Sequence, residues 1–308
     1  MLADKAELQR IVDESRPYIA GGKVADYIPE LGHANPAVLG VTVAQPDSIV
    51  SAGDCDTAFT LQSISKVISL MIALLDHGPK KVFAKVGMEP SGDPFNSIIK
   101  LETMNSHKPL NPMINAGAIA VASLIDGSDV KERFQRVCRL LHRITGNEQI
   151  ALDENVYASE KRTGDRNRSL AYFMKSTGVL EGDVEDALDL YFRLCSITVH
   201  CSDLAKIGLF LAEWGRIAGE SSPLVEPGIV RILLTIMMTS GMYNASGEYA
   251  IRVGIPSKSG VSGGIMAVVP GKMGIGVIGP AIDEIGNSVA GVQILETLSN
   301  EFRLHLFA

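Results

Sequence analysis

Ser63-Ile64-Ser65-Lys66 places a serine hydroxyl three positions ahead of a lysine amine. On a helix, side chains at i and i+3 share a face. A lysine beside a serine can take the hydroxyl proton once its amine is neutral. Burial in an apolar wall favours that neutral form, because desolvation penalises the charge. The run from Val67 to Leu75, apolar but for Ser69, supplies such a wall. The start of a helix adds free N–H groups and the positive end of a dipole, both suited to a developing anion. The pattern therefore points to nucleophilic attack by an activated serine. The same spacing recurs at Ser97…Lys100 and Ser128…Lys131, after a Pro-Phe-Asn loop and at the charged run Asp129–Glu132. Only Ser63 lies between an extended segment and a helix expected to be wholly buried.

Lys258-Ser259-Gly260 stands near the other end of the chain, ahead of a strand. In serine acyl-transfer enzymes that use S-x-x-K, a K-[ST]-G strand edges the site. Lys-x-Gly also recurs at Lys85-Val86-Gly87 and Lys272-Met273-Gly274, so the joint occurrence with Ser63 carries the weight. The S-D-N element of β-lactamases is absent, since Ser202-Asp203 is followed by Leu204. That argues against a β-lactamase or a cell-wall peptidase. The histidines at 33, 77, 107, 142, 200 and 305 form no pattern with Ser63. The cysteines at 55, 138, 195 and 201 lack CxxC pairing and read as reduced thiols of a cytosolic protein.

Several elements must position these groups. Residues 4–20 read as an amphipathic helix with Leu8, Ile11, Val12 and Ile19 on one side, ended by Gly21-Gly22. Residues 38–44 read as a strand, returned by Ser48–Ala52 after the turn at Pro46-Asp47. Ala58–Gln62 is extended and leads into a buried helix from Ile64 to Leu75, stopped by His77-Gly78-Pro79. Residues 80–215 are mainly helical, with clear segments at Val130–Ile144, Asp183–Ser196 and Asp203–Trp214 and loops at 89–96 and 105–117. Ile265–Val269 and Met273–Ile278 form a hairpin about Pro270-Gly271, and Ser288–Leu306 closes the chain as a helix. Strands at both ends flanking a helical block suggest an α+β fold: an antiparallel sheet with flanking helices and an inserted all-helical part. The expected division is 1–66 with 216–308 for the α/β part and 67–215 for the helical insertion, with the site in the cleft between them.

The chain has 308 residues and a formal charge of −7, with 46% hydrophobic and 20% charged residues. This is a globular balance. An acidic chain without a basic run is a poor partner for nucleic acid or an anionic membrane. The polar N-terminus shows no secretory h-region, and the longest apolar run is too short to span a bilayer. The expected compartment is the cytoplasm. Glycine is in excess at 30 residues. Gly117, Gly241, Gly260, Gly263 and Gly264 are expected where backbone must come close to a substrate.

Longer stretches complete the pattern. They are Gly22-Lys23-Val24-Ala25-Asp26-Tyr27-Ile28-Pro29, Gln62-Ser63-Ile64-Ser65-Lys66, Pro94-Phe95-Asn96-Ser97 and Asn111-Pro112-Met113-Ile114-Asn115-Ala116-Gly117-Ala118. Ser159-Glu160 with Arg166-Asn167, Ser240-Gly241-Met242-Tyr243 and Lys258-Ser259-Gly260-Val261 follow in order. Together they resemble the serine-dependent glutaminases, which share the β-lactamase/DD-peptidase-like fold. Ser262 stands where many members have Gly. The resemblance implies hydrolysis of L-glutamine to L-glutamate and ammonia through a γ-glutamyl-serine intermediate. It implies Ser63 as nucleophile, Lys66 as its base and Tyr243 as the proton carrier to the leaving ammonia. The backbone N–H groups of Ser63 and Val261 would form the oxyanion hole. Tyr27, Asn115, Glu160, Asn167 and Tyr191 would hold the substrate, with Lys258 and Gly260 at the site edge. No metal, nucleotide or redox cofactor is implied, and the family forms homodimers and homotetramers. Without the resemblance, Asn115 and Asn167 read as loop residues, Glu160 as a solvated charge, and Tyr191 and Tyr243 as core or cleft aromatics. A different acyl hydrolase, or a binding protein, on the same scaffold are the alternatives.

Overall fold

The computed structural model describes residues 4–217 and 219–308. Helix α1 (Lys5–Ser15) leads into the strands β1 (Gly40–Gln45), β2 (Ser48–Gly53) and β3 (Phe59–Thr60). The helices α2 (Ser65–Lys85), α3 (Ile99–Thr103), α4 (Asn115–Ala122), α5 (Val130–Thr145), α6 (Glu154–Thr163), α7 (Asp165–Ser176) and α8 (Val184–Cys195) follow. Strand β4 (Thr198–Val199) precedes α9 (Cys201–Ala212), α10 (Pro227–Ser240) and α11 (Ser246–Arg252). The chain ends with β5 (Ser257–Ser259), β6 (Gly264–Val269), β7 (Met273–Ile278) and α12 (Val289–Phe302).

Strands from both chain ends form one antiparallel sheet, in the order β2-β1-β7-β6-β5. The expected sharing of a sheet between the ends is present, with β1 pairing β7 through Val41↔Val277 and Val43↔Ile275. The two-residue strands β3 and β4 pair separately. Alternation along β7 explains how the sheet is covered. Met273, Ile275 and Val277 point to one face and meet Leu8, Ile11 and Val12 of α1 and Ile294, Leu295 and Leu298 of α12 in one apolar core. Gly274 and Gly276 point to the other face, where α9 lies directly on the strand. A Cβ at Gly274 would sit 2.1 Å from Ala205 O, and one at Gly276 would sit 2.1 Å from Cys201 O. The helix can approach this closely only because those positions carry no side chain.

A second core joins α2, α4, α5, α7, α8, α9 and α10. Helix α2 is its centre, with Val67, Leu70, Met71, Ala73 and Leu74 essentially unexposed, and it packs on α4 and α10. Among the described residues, no helix is long and apolar enough to cross a membrane.

Several local readings need correction. The first helix ends at Ser15, not near residue 20, and Arg16–Gly21 forms a 3₁₀ helix. Pro17 causes the change, because it has no N–H to donate back and its ring crowds the preceding turn. The chain after Leu75 stays helical to His77, breaks at Gly78 (φ 71°, ψ 165°) and resumes to Lys85. The loop expected over 105–117 stops earlier, since Asn115 opens α4. Helix α10 was not among the expected segments, although Pro227 in its first turn and the stripe Ile229, Val230, Leu233, Leu234 and Met237 suit a helix.

The contact of α9 with β7 is directly testable. Gly276→Ala should lose about 3 kcal/mol, the upper end of overpacking costs, because the obstacle is backbone. Gly228→Ala in α10, where a Cβ meets nothing within 4 Å, should be neutral or slightly stabilising. Urea midpoints of the two variants check this, and equal midpoints would refute the close packing.

Candidate active site

Ser63 sits on a 3₁₀ turn, Gln62–Ile64, wedged between β3 and the start of α2. Gln62 ahead of it has φ 47°, a left-handed conformation that costs a non-glycine residue energy. Turning the backbone there presents Ser63 to a cavity of about 100 Å³. Its walls include Gln62, Phe95, Asn115, Glu160, Asn167 and Val261, with Tyr27 and Tyr191 completing the lining.

The turn carrying Val261 is tied to the turn carrying Ser63. Ser262 Oγ donates to Thr60 O at 2.6 Å. A Cβ at Gly260 would lie 2.7 Å from Leu61 O, so the two backbones are in direct contact. Among the described residues, neither the Ser63 nor the Val261 backbone N–H finds an acceptor in the protein. Two unpaired donors beside one hydroxyl are the physical requirement for holding an oxyanion.

Lys66 follows Ser63 by one turn and is 1% exposed. Its Nζ donates to Asn115 Oδ1 at 2.7 Å and to Met113 O at 3.1 Å. Burial lowers its pKa to about 8, with Cys195 and Glu160 opposing that effect. The amine is thus partly neutral near physiological pH, as a base for a hydroxyl must be. The bond to Lys66 also orients Asn115, whose Nδ2 then donates to Asn167 Oδ1 at 2.9 Å.

Glu160 lies in the second half of α6 and is 6% exposed. Among the described residues, no cation lies within ion-pair distance of it. Burial raises its carboxyl pKa to about 7, opposed by a hydrogen bond from Gln62 and by Lys66. A buried carboxylate without a cation is costly, and an arriving ammonium would relieve that cost. The expectation from sequence pattern alone, a solvated charge, is wrong here because α6 packs on α8 and turns Glu160 inward.

Tyr243 stands behind Ser63 on a 3₁₀ turn after α10, also in a left-handed conformation at φ 53°. Its ring is held between Phe95, 5.1 Å away, and Lys258 Nζ, 4.2 Å from the ring centre. The phenol donates to Ser259 O at 3.2 Å. Burial pushes its pKa well above the usual value, and the nearby Ser63 hydroxyl partly offsets this. The phenol therefore keeps its proton. Tyr27 is 55% exposed at the cavity mouth, and desolvation, with Tyr243 and Glu160 nearby, raises the pKa of its phenol. Tyr191 is buried with its pKa raised first by desolvation and then by Cys195.

Comparison with known proteins follows from this geometry. The family profile described as Glutaminase matches residues 22–307. The chain belongs to the glutaminase family. A glutaminase of Alkaliphilus metalliredigens is 53% identical over 302 residues, covering 98% of this chain and 99% of the relative. One of Clostridium tetani is 54% identical over 304 residues, with the same coverage. The Bacillus subtilis glutaminase in covalent complex with 5-oxo-L-norleucine, formed by reaction with 6-diazo-5-oxo-L-norleucine, superposes with a TM-score of 0.90 at 39% identity, covering 98% of this chain and 99% of that one.

Of the residues expected from the glutaminase resemblance, Ser63, Tyr27, Asn115, Glu160, Asn167, Tyr191 and Val261 share the cavity. Lys66 and Tyr243 do not line it; Tyr243 lies within reach of the Ser63 hydroxyl, and the Lys66 amine is held by Asn115 and Met113. Lys258 and Gly260 do not line it. Lys258 is fully buried, donating to Gly241 O at 2.9 Å and Ser259 O at 2.7 Å, and burial holds its pKa well below the lysine range. The expected glycines do not bare backbone to a substrate. A Cβ would meet Asn111 O at 2.0 Å from Gly117, Ser257 O at 1.8 Å from Gly241 and Gly279 O at 2.4 Å from Gly263, so they let protein backbones touch around the site. Gln62, Phe95, Asn96 and Arg166 line the cavity too and were not singled out. Their only signal in the sequence is membership of the family stretches. Arg166 Nε donates to Asn96 O at 2.9 Å, which pins the loop carrying Phe95.

The state of Lys66 is measurable without reference to turnover. Its Nζ should titrate near pH 8 by ¹⁵N NMR of labelled lysine, while exposed lysines stay charged to about pH 10. A Lys66 that remains charged beyond pH 10 would refute the desolvated environment.

Proposed function

We propose that this chain hydrolyses L-glutamine to L-glutamate and ammonia through a γ-glutamyl ester on Ser63. One observation carries the reading: a hydroxyl with two backbone donors that find no acceptor among the described residues, and a buried carboxylate without an ion-pair partner among them, face the same small cavity. Glutamine supplies what each lacks. Its α-ammonium pairs with Glu160, and its α-carboxylate takes donors from Asn167, whose amide N–H₂ has no acceptor among the described residues, and from the tyrosines of the wall. The side-chain carbonyl then lies at Ser63.

The neutral Lys66 amine takes the Ser63 proton as Oγ attacks the amide carbon. The oxygen that gains charge is held by the N–H groups of Ser63 and Val261, each such donor being worth about 2.7–4 kcal/mol. Tyr243 still holds its proton and gives it to the departing nitrogen, so ammonia leaves as a neutral molecule. Water, deprotonated by the same groups, then cleaves the ester and frees glutamate. In this reading the site forms where the two expected parts of the chain meet. Ser63, Tyr243 and Val261 come from 1–66 and 216–308, and Asn115, Glu160, Asn167 and Tyr191 come from the inserted stretch 67–215. Four free cysteines support a reducing cytoplasm, and the family resemblance supports a homodimer or homotetramer.

Ammonia release from glutamine, asparagine and γ-glutamyl analogues, measured side by side, tests the substrate. Ser63→Ala should abolish release from glutamine while the fold and glutamine binding persist; full activity in that variant would end the mechanism. Glu160→Gln should raise KM at least tenfold with a smaller effect on kcat, since a charge-assisted hydrogen bond contributes about 1.5–3 kcal/mol. An unchanged KM would show that Glu160 does not hold the ammonium.

A further inference from the structure

A second cavity, of about 400 Å³, adjoins the one holding Ser63. The two share Tyr27, Phe95, Asn96 and Val261 as a common wall. The larger cavity touches none of Glu160, Asn167 and Tyr191, so it lies toward Val261 and away from the buried carboxylate. Its floor reaches the proton donor: a Cβ at Gly286 would be 3.3 Å from both the Tyr243 ring and Val261 Cγ1. In the reading above the departing nitrogen faces Tyr243, whose ring abuts Gly286 of the larger cavity, so the side of the scissile bond that carries the nitrogen is the side nearest this space. Ammonia is a single heavy atom and needs no such volume.

The walls are mainly apolar, from Val24, Phe95, Val261, Ile282 and Ile285. Asp283 also borders it, but its Oδ1 already accepts the backbone N–H groups of Ile285, Gly286 and Asn287 at 2.8–2.9 Å. That carboxylate fixes the loop and offers little to a charged substituent. Lys23 and Glu284 stand exposed at the rim with opposite signs.

We propose that this cavity is a leaving-group subsite, and that the enzyme also cleaves N-alkyl γ-glutamyl amides whose amine carries a short apolar substituent. The inference rests on the glutaminase reading above. The chemistry balances in the same way as for glutamine. Ser63 Oγ bonds to the amide carbon and passes its proton to Lys66. The C–N bond breaks with its electron pair going to nitrogen, and Tyr243 protonates that nitrogen, releasing a primary amine. Water then cleaves the ester, leaving glutamate and restoring the Ser63 proton. The alkyl group moves from water onto the apolar wall, which favours binding.

Initial rates with L-glutamine, γ-glutamyl N-ethylamide and γ-glutamyl N-butylamide, reading glutamate in every case, test this. The N-alkyl amides should keep kcat/KM within about a hundredfold of glutamine, a range that pocket contacts to a few methylenes can span. Val24→Trp, which fills the subsite from a wall that glutamine does not use, should lower the butylamide at least tenfold and change glutamine less than about twofold. Should Val24→Trp fail to fold, Ile285→Trp at the exposed rim gives the same comparison. Normal glutamine hydrolysis with amides outside that range, or an equal loss on both substrates in the filled variants, would overturn the subsite. Loss of glutamine hydrolysis in the unaltered enzyme would instead overturn the glutaminase reading and this inference with it.

Discussion

The proposed mechanism requires Lys66 to be buried, and burying an ammonium group is unfavourable unless its surroundings answer for it. The answer is partial. Met113 O and Asn115 Oδ1 each accept a hydrogen bond from its amine, and burial brings its pKa to about 8. The amine is consequently charged enough to be tolerated and neutral enough to act. This requirement fits the burial of α2, whose side chains from Val67 to Leu74, apolar but for Ser69, exclude water. It also fits the start of α4 at Asn115, where one side chain both accepts from Lys66 and passes its orientation to Asn167.

Strain and close packing serve the same arrangement. Two residues with side chains, Gln62 and Tyr243, adopt left-handed conformations on either side of Ser63. Such conformations persist only where neighbours over-determine them. Here the neighbours are backbones pressed together at glycines: Gly260 on Leu61, Gly241 on Ser257, Gly117 on Asn111. The glycine excess thus has a structural use. It lets strands, turns and helices meet without side chains between them, from the site out to the contact of α9 with β7. Rigidity at the backbone then holds the Ser63 and Val261 N–H groups in register.

The electrostatics of the cavity are set by geometry more than by net charge. An overall charge of −7 distinguishes nothing about a zwitterionic substrate. What matters is one carboxylate, Glu160, whose burial raises its pKa to about 7 although Gln62 and Lys66 favour its charged form. Ligand binding and burial act on the same group in opposite directions. An ammonium beside Glu160 favours its charged form, and burial favours its neutral one.

Much of this was legible in the chain. Apolar or alternating runs about the Pro270-Gly271 turn marked β6 and β7, the apolar run marked α2, and the spacing of Ser63 and Lys66 marked the proposed nucleophile. The long family stretches pointed to the remaining side chains, because they occur in order over most of the length. Those signals are local, and local sequence dictates period, turn chemistry and short-range spacing. The tertiary structure alone decided which side chains meet. Glu160 looks solvated until α6 packs on α8, and Lys258 looks like a site edge until the Tyr243 ring covers it. Gly276 looks like a strand defect until α9 lies on it. Each outcome depends on contacts between residues far apart in sequence, where desolvation and the exclusion of a single methyl group are set by the neighbour and not by the residue.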